Sequence, residues 1–213
     1  MTRIILASAS PRRRELLAAL VPEFEVVPAD VPEHMDGDPA AEAVRLAREK
    51  AQAVADRMPG AVVIGSDTLV HDGEQFYGKP ADAADAERMW RALRGRPHQV
   101  TTGVAVIGPG CSLAGASESN VTLRNLTDEE IAAYVASGRP LDKAGAYAIQ
   151  DEDVATVERL DGCYCCVVGL PLWRLQAALK ACGVDAREPH LTFERCATCP
   201  ERPAPPDVLA IRA

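Results

Sequence analysis

Serines and arginines crowd the end of a short apolar run in Leu6-Ala7-Ser8-Ala9-Ser10-Pro11-Arg12-Arg13-Arg14. Ser10 is a natural helix N-cap, and Pro11 fits the first helical position. A helix starting there offers free N–H groups and the positive end of its dipole, both of which favour phosphate. The arginines add forked donors that match phosphate oxygens. A second cluster comprises Gly65-Ser66-Asp67-Thr68 and Gly78-Lys79-Pro80. A carboxylate at Asp67, just past the end of a buried strand, can hold Mg2+ or orient a water. Lys79 sits in a turn whose glycine lets backbone approach a ligand closely. A third cluster, Gly138 to Gln150, sets charges among glycine and small residues. The side-chain amide of Gln150 carries a paired donor and acceptor that can read a base edge. Taken singly, Asp67 also reads as a turn or cap residue, Lys79 as a solvated loop charge, and the third cluster as a polar loop. Taken together, the three favour binding of a compact polyphosphate.

The elements that hold these residues follow from periodicity and turn chemistry. Ile4 to Leu6 reads as a strand feeding the Ser10-capped helix, and Phe24 to Val27 as a second short strand. Residues Pro28 to Pro39 form a loop rich in proline, glycine and acids. Asp38-Pro39 then opens a long helix to about Met58, with Val44, Ala47, Ala51, Val54 and Met58 along one stripe. The apolar run Ala61 to Gly65 suits a buried strand. Asp82 to Leu93 reads as a helix, and Val100 to Ile107 pairs with Ser117 to Leu123 as a hairpin around Gly108-Pro109-Gly110. Thr127 and Glu130 form a capping box before a helix ending at Gly138. Val154 to Leu160 and Cys163 to Val168 read as another strand pair, and Pro171 starts a last helix that Gly183 closes. This order predicts an α/β or α+β fold with a mixed sheet. The stretch 184–213 carries five prolines and little periodicity, which predicts a poorly ordered tail.

Composition narrows the classes. With 23 basic and 31 acidic side chains in 213 residues, the net charge of −8 argues against a general nucleic-acid or membrane surface. No apolar run is long enough to span a membrane, and the first one is too short for a signal peptide, so a cytoplasmic protein is expected. The seven cysteines are expected to be reduced thiols. Cys196 and Cys199 form a C-x-x-C, but no second C-x-x-C or close His pair completes a zinc site. Cys163, Cys165 and Cys166 read as small core residues of a strand rather than joint metal ligands. No heptad seam points to a coiled coil.

The motifs occur in an order that resembles the Maf family of nucleoside triphosphate pyrophosphatases. The matching residues are Leu6 to Arg13, Leu46-Ala47-Arg48-Glu49-Lys50-Ala51, Gly65 to Thr68, Gly78-Lys79-Pro80, Pro140 to Gln150, and Val167-Val168-Gly169-Leu170-Pro171. They cover about residues 3 to 183, so 1–183 is taken as the pyrophosphatase domain and 184–213 as the tail. The resemblance implies a two-lobed α/β fold, a mixed sheet with flanking helices and a central cleft, similar to inosine triphosphate pyrophosphatases. It implies hydrolysis of a nucleoside triphosphate to the monophosphate and pyrophosphate with a divalent cation, Mg2+ or Mn2+. Leu141 to Tyr147 looks like the branch acting on dTTP and UTP; the alternatives are 7-methyl-GTP or another modified nucleotide, or a nucleotide-sensing regulator of division, since some members restrain septum formation. A homodimer is also implied. Carried over by position, Ser8, Arg12 and Arg13 match the phosphate-binding opening. Lys50 and Lys79 match phosphate-facing lysines, and Gln150 a substrate-contacting glutamine. Asp67 matches the central acid, assigned as base or metal ligand, and Glu33 a carboxylate near the metal. Three departures stand out. Ser66 replaces a usual alanine. Ala148 and Asp151 stand where glycine is common, and Asp151 sets a negative charge beside Gln150. Asp161 to Cys166 replaces a more polar segment.

Overall fold

In the computed structural model, which describes residues 2–203, strand β1 is Ile4–Leu6 and helix α1 is Pro11–Leu20. The Ser10 hydroxyl accepts from the Arg13 N–H at 3.4 Å, so the expected cap is present. Six strands form one sheet in the order β2-β1-β3-β4-β5-β6, with β2 Glu25–Val26, β3 Val62–His71, β4 Pro97–Gly108, β5 Cys111–Leu123 and β6 Val157–Asp161. β1 runs parallel to β2 and β3, whereas β5 and β6 are antiparallel, which makes the sheet mixed. The chain divides into two units. One holds the residues up to 68, 101–118 and those from 162 onward; the other holds 69–100 and 119–161.

In the first unit, Asp38 caps helix α2, Pro39–Ala55, accepting from the Ala41 N–H at 2.8 Å. Its buried face carries Ala43, Ala47 and Ala51 at intervals of four, one helical row. Their small side chains let the helix lie on strand backbone. An added Cβ at Gly65 would stand 2.1 Å from the Ala47 carbonyl oxygen, and one at Gly103 would stand 2.1 Å from that of Ala43. Lys50, on the same helix, is thereby carried to the sheet and buried. In the second unit, helices α3 (Ala83–Leu93) and α4 (Asp128–Ala136) pack around Trp90, which meets Tyr134 edge-on at 5.7 Å. The Thr127–Glu130 capping box that starts α4 is formed.

Four expectations are corrected. Asp67 lies inside β3, which runs on to His71, because the polar side chains around it find partners in other elements. Cys163 to Val168 is not a strand. Gly162, at φ +138°, breaks the chain after β6, and Tyr164–Val168 is a short helix, α5, closed by Gly169 at φ +113°. A short apolar run cannot be told from a buried helical turn by its periodicity. Residues 184–203 of the supposed tail are built into the fold, and 204–213 lie outside the described residues. Helix α6 spans Leu172–Ala181, and a further turn, α7, spans Pro189–Thr192. The Arg187 N–H donates to the Leu20 carbonyl at 3.0 Å, and the Thr192 hydroxyl to that of Ala19 at 3.0 Å. Finally, Cys111 and Cys182 form a disulfide with Cα atoms 5.5 Å apart, so not all seven cysteines are thiols.

The contact of α2 with the strand backbone leaves no room for a methyl group. Gly65→Ala is expected to lower stability by about 3 kcal/mol, at the upper end of ordinary overpacking. Urea unfolding checks this, and an unchanged midpoint would contradict the close approach.

Candidate active site

Position two residues beyond Gly65 on β3 puts Asp67 on the same face of the strand, toward α2. Lys50 Nζ donates to Asp67 Oδ1 at 2.5 Å and to Glu33 Oε1 at 2.6 Å. Lys50 and Asp67 are both buried, whereas the Glu33 side chain is half exposed. The loop that carries Glu33 is tied to α2 by Arg45, whose Nη2 donates to the His34 carbonyl at 2.6 Å. A buried ammonium needs its partners, since removing one from a buried pair leaves an uncompensated charge. Here two carboxylates share it.

Arg13 stands beside this trio. Its Nε donates to the Gly169 carbonyl at 2.9 Å, Nη1 to the Ser66 carbonyl at 2.8 Å and to Ser8 Oγ at 3.3 Å, and Nη2 to Thr68 Oγ1 at 3.1 Å. Four of the five N–H donors of the guanidinium are thus engaged within the protein. Burial pulls this guanidinium below its ordinary pKa, opposed by the charges of Asp67 and Glu33. Arg13 therefore acts first as a strut joining α1, β3 and the turn after α5. Ser8 Oγ also accepts from the Ser10 N–H at 3.2 Å. Arg12 occupies the first turn of α1 and is close enough to Arg13 to oppose its charge. The first unit accordingly gathers Ser8, Arg12, Arg13, Glu33, Lys50 and Asp67.

The supports were less legible. Ser66 Oγ lies 2.8 Å from the Gly103 carbonyl and 2.9 Å from that of Gly169, so its hydroxyl has acceptors within reach. Thr102 Oγ1 donates to the Cys166 carbonyl at 2.7 Å and lies 3.0 Å from Thr68 Oγ1. Gly169 explains why glycine stands in the Val167-to-Pro171 motif. Its φ is positive, and an added Cβ would meet Thr68 Oγ1 at 3.0 Å and Arg13 Nε at 3.3 Å. Thr68 and Thr102 carry no sequence signal of their own, because their role depends on the pairing of distant strands.

Lys79 and Gln150 lie in the second unit. Lys79 is exposed in the turn after β3, and the Gly145 N–H donates to the carbonyls of Tyr77 at 3.0 Å and Gly78 at 3.1 Å. The second and third sequence clusters are thus stitched together there. Gly145 and Ala146 both adopt positive φ, and the Ala146 carbonyl accepts from Trp90 Nε1 at 2.7 Å. Gln150 is half-buried in the following turn. The neighbouring Asp151 directs its carboxylate to the Tyr134 hydroxyl at 2.5 Å, and burial together with that carboxylate raises the Tyr134 pKa. The charge beside Gln150 is therefore committed to a partner within its own unit.

Comparison with known proteins shows what the chain as a whole is similar to. The family described as Maf-like protein matches residues 3–182. A dTTP/UTP pyrophosphatase of Geobacter metallireducens is 50% identical over 186 residues, 85% of this chain and 97% of that protein. The dTTP/UTP pyrophosphatase of Koribacter versatilis is 49% identical over 183 residues, 85% of this chain and 95% of that protein. Among solved structures, the Staphylococcus aureus Ham1 protein overlaps 58% of this chain and 73% of its own, with TM-score 0.44 and 18% identity.

One buried histidine supports the segment that carries Gln150. His98 Nε2 lies 2.8 Å from the Tyr147 hydroxyl, and burial pushes the imidazole down to about 4. The unfolded chain takes up this proton near pH 6.5, whereas the folded chain resists it until about pH 4. The associated stability is complete above pH 6.5 and is lost as the pH falls toward 4, by about 3 kcal/mol in total. Urea unfolding across that window is expected to show this slope in the wild type and a flatter one in His98→Gln; parallel slopes would contradict the assignment.

Proposed function

The chain belongs to the Maf-like protein family, and from that premise we propose that it hydrolyses dTTP and UTP to the monophosphate and pyrophosphate. Support for the substrate comes from the relatives named dTTP/UTP pyrophosphatase, which align with 81–87% of this chain. The observation that carries the chemistry is the convergence of Asp67 and Glu33 on the Lys50 ammonium beside the N-terminus of α1. It sets an acid, a buried cation and the Arg13 guanidinium at one place.

Asp67 is the base. A water placed against its carboxylate gives up a proton to it as the water oxygen attacks the α-phosphorus. The bond from that phosphorus to the α,β-bridging oxygen breaks, and pyrophosphate leaves with the electron pair. Lys50 holds the Asp67 carboxylate in place and supplies positive charge where the phosphate oxygens gather negative charge. Arg12 binds phosphate from the first turn of α1, while Arg13 keeps Ser8, Ser66 and Thr68 in register. Lys79 is assigned to phosphate and Gln150 to the base.

The residues suit a hard divalent cation. Two carboxylates already converge on one cationic atom, and Mg2+ commonly takes one or two carboxylates with waters and phosphate oxygens. Asp67 and Glu33 would hold the ion, which would neutralise phosphate charge when bound.

The test is pyrophosphate release from a nucleotide panel with Mg2+ or Mn2+. Wild type is expected to favour dTTP and UTP over 7-methyl-GTP. Asp67→Asn is expected to lower kcat about 10²–10⁴-fold, the usual contribution of a general base. Its fold should survive, because Lys50 retains Glu33. Near-normal turnover in Asp67→Asn would remove the assigned base, and a preference for 7-methyl-GTP would overturn the substrate.

A further inference from the structure

Outside the pyrophosphatase site, four buried cysteines from two separate stretches of the first unit come together. Cys163 precedes α5 and Cys165 lies in its first turn. Cys196 ends a short 3-10 turn at Glu194–Cys196, and Cys199 follows three residues later. Cys163, Cys165 and Cys196 are at most 2% exposed and Cys199 is 9% exposed. Cys165 Sγ and Cys196 Sγ are 3.7 Å apart. The Cys163 thiol is hydrogen-bonded to those of both Cys165 and Cys199. The sulfurs therefore form a continuous series, Cys196, Cys165, Cys163, Cys199.

This cluster differs from ordinary core packing. Cys166 shows what a packed thiol does: it turns from the other four and donates to the Ser117 carbonyl at 3.1 Å. The four clustered cysteines instead contact one another, with further backbone hydrogen bonds at Cys163 and Cys199. Each pair comes from a short spacing, C-x-C at 163–165 and C-x-x-C at 196–199. The second matches the spacing of structural zinc sites, and the first is one residue tighter. Two pairs from two chain segments are the usual make-up of a closed four-sulfur site. With zinc–sulfur bonds of about 2.3 Å, sulfurs at the corners of a tetrahedron stand roughly 3.8 Å apart. The Cys165–Cys196 separation already has that length.

We propose that Cys163, Cys165, Cys196 and Cys199 bind one zinc ion as a closed tetrathiolate site that fastens residues 184–203 to the pyrophosphatase domain. The all-sulfur donor set selects a soft or borderline ion over the hard cation of the phosphate site. Among the described residues no group of three or more His, Cys, Asp or Glu is placed to hold a metal ion as it stands. Binding therefore requires the four thiols to reorient around the ion. On binding, each thiol releases its proton to solvent and the four thiolates donate to the metal. The surroundings tie the two stretches as the site requires. Trp173 Nε1 donates to the Cys196 carbonyl at 3.0 Å, Tyr164 lies 6.0 Å from Phe193, and the Arg195 guanidinium covers the Tyr164 ring at 4.4 Å. The redox reading of the C-x-x-C has weaker geometric support, because the short thiol contacts join Cys163 and Cys165 to the later pair.

The experiment is metal analysis of the full-length chain, purified without chelator under reducing conditions, followed by replacement with Co2+. One zinc per chain and an intense thiolate-to-cobalt charge-transfer absorption are expected. In Cys196→Ser/Cys199→Ser the bound zinc should fall at least tenfold, and trypsin should cut at Arg187 or Arg195 faster than in wild type. Less than a tenth of an equivalent of zinc in wild type, with no cobalt absorption on reconstitution, would overturn the proposal. So would full zinc retention in the double variant, or a Cys165–Cys196 disulfide in the freshly isolated protein. The cobalt spectrum of wild type tests the site even if the double variant fails to fold, and none of these readings depends on nucleotide hydrolysis.

Discussion

The ammonium of Lys50, buried between Asp67 and Glu33, is the interaction on which the first unit depends. A lysine at this depth is unfavourable unless anions meet it, because desolvation of the charge outweighs a poorly made pair. Meeting it requires α2 to lie unusually close to the sheet. That approach is possible because Ala43, Ala47 and Ala51 face Gly103 and Gly65 without intervening side-chain volume. It also requires the loop before α2 to bring Glu33 back across the helix, which the Arg45–His34 contact secures. The choice of small residues, the helix position and the loop path thus follow from accommodating one charge.

A second division of labour concerns the positive groups. The basic opening of α1 looks uniform in sequence, yet its arginines differ in role. Arg13 is engaged by Ser8, Ser66, Thr68 and Gly169 and holds three elements in register. Removing such a strut takes a donor from the Ser66 and Gly169 carbonyls, and a buried acceptor left short of donors costs more than the bond itself. A variant at Arg13 therefore reports on architecture as well as phosphate affinity, whereas exposed Lys79 reports chiefly on charge.

Local chemistry was legible wherever it decided the outcome. The Ser10 and Asp38 caps, the Thr127–Glu130 box and the hairpin around Pro109-Gly110 depend on residues a few positions apart, and each forms where its spacing requires. The site acids and lysines were legible as motifs, but their supports were not. In sequence Asp67 reads as the end of a strand because Ser66, Asp67 and Thr68 are polar; in the fold their partners come from Gly103, Gly169, Lys50 and Thr102, far away in sequence. The same limit explains 184–203. Its prolines suggest disorder, but its anchors are the Leu20 and Ala19 carbonyls and the Trp173 indole, which no local pattern reveals.

Helix α5 shows how the misread segment enters the site. Five residues are too few for a helix to persist alone, because nucleation is unfavourable and few hydrogen bonds follow it. Its two ends must be held by tertiary contacts. At the C-terminal end, the Gly169 carbonyl accepts from Arg13 and its positive φ turns the chain into Pro171 and α6. At the N-terminal end, Cys163 and Cys165 meet the cysteines of the 184–203 segment. In between, the Cys166 carbonyl accepts from Thr102 of β4. The short helix that carries these cysteines therefore also leads into the glycine that seats Arg13.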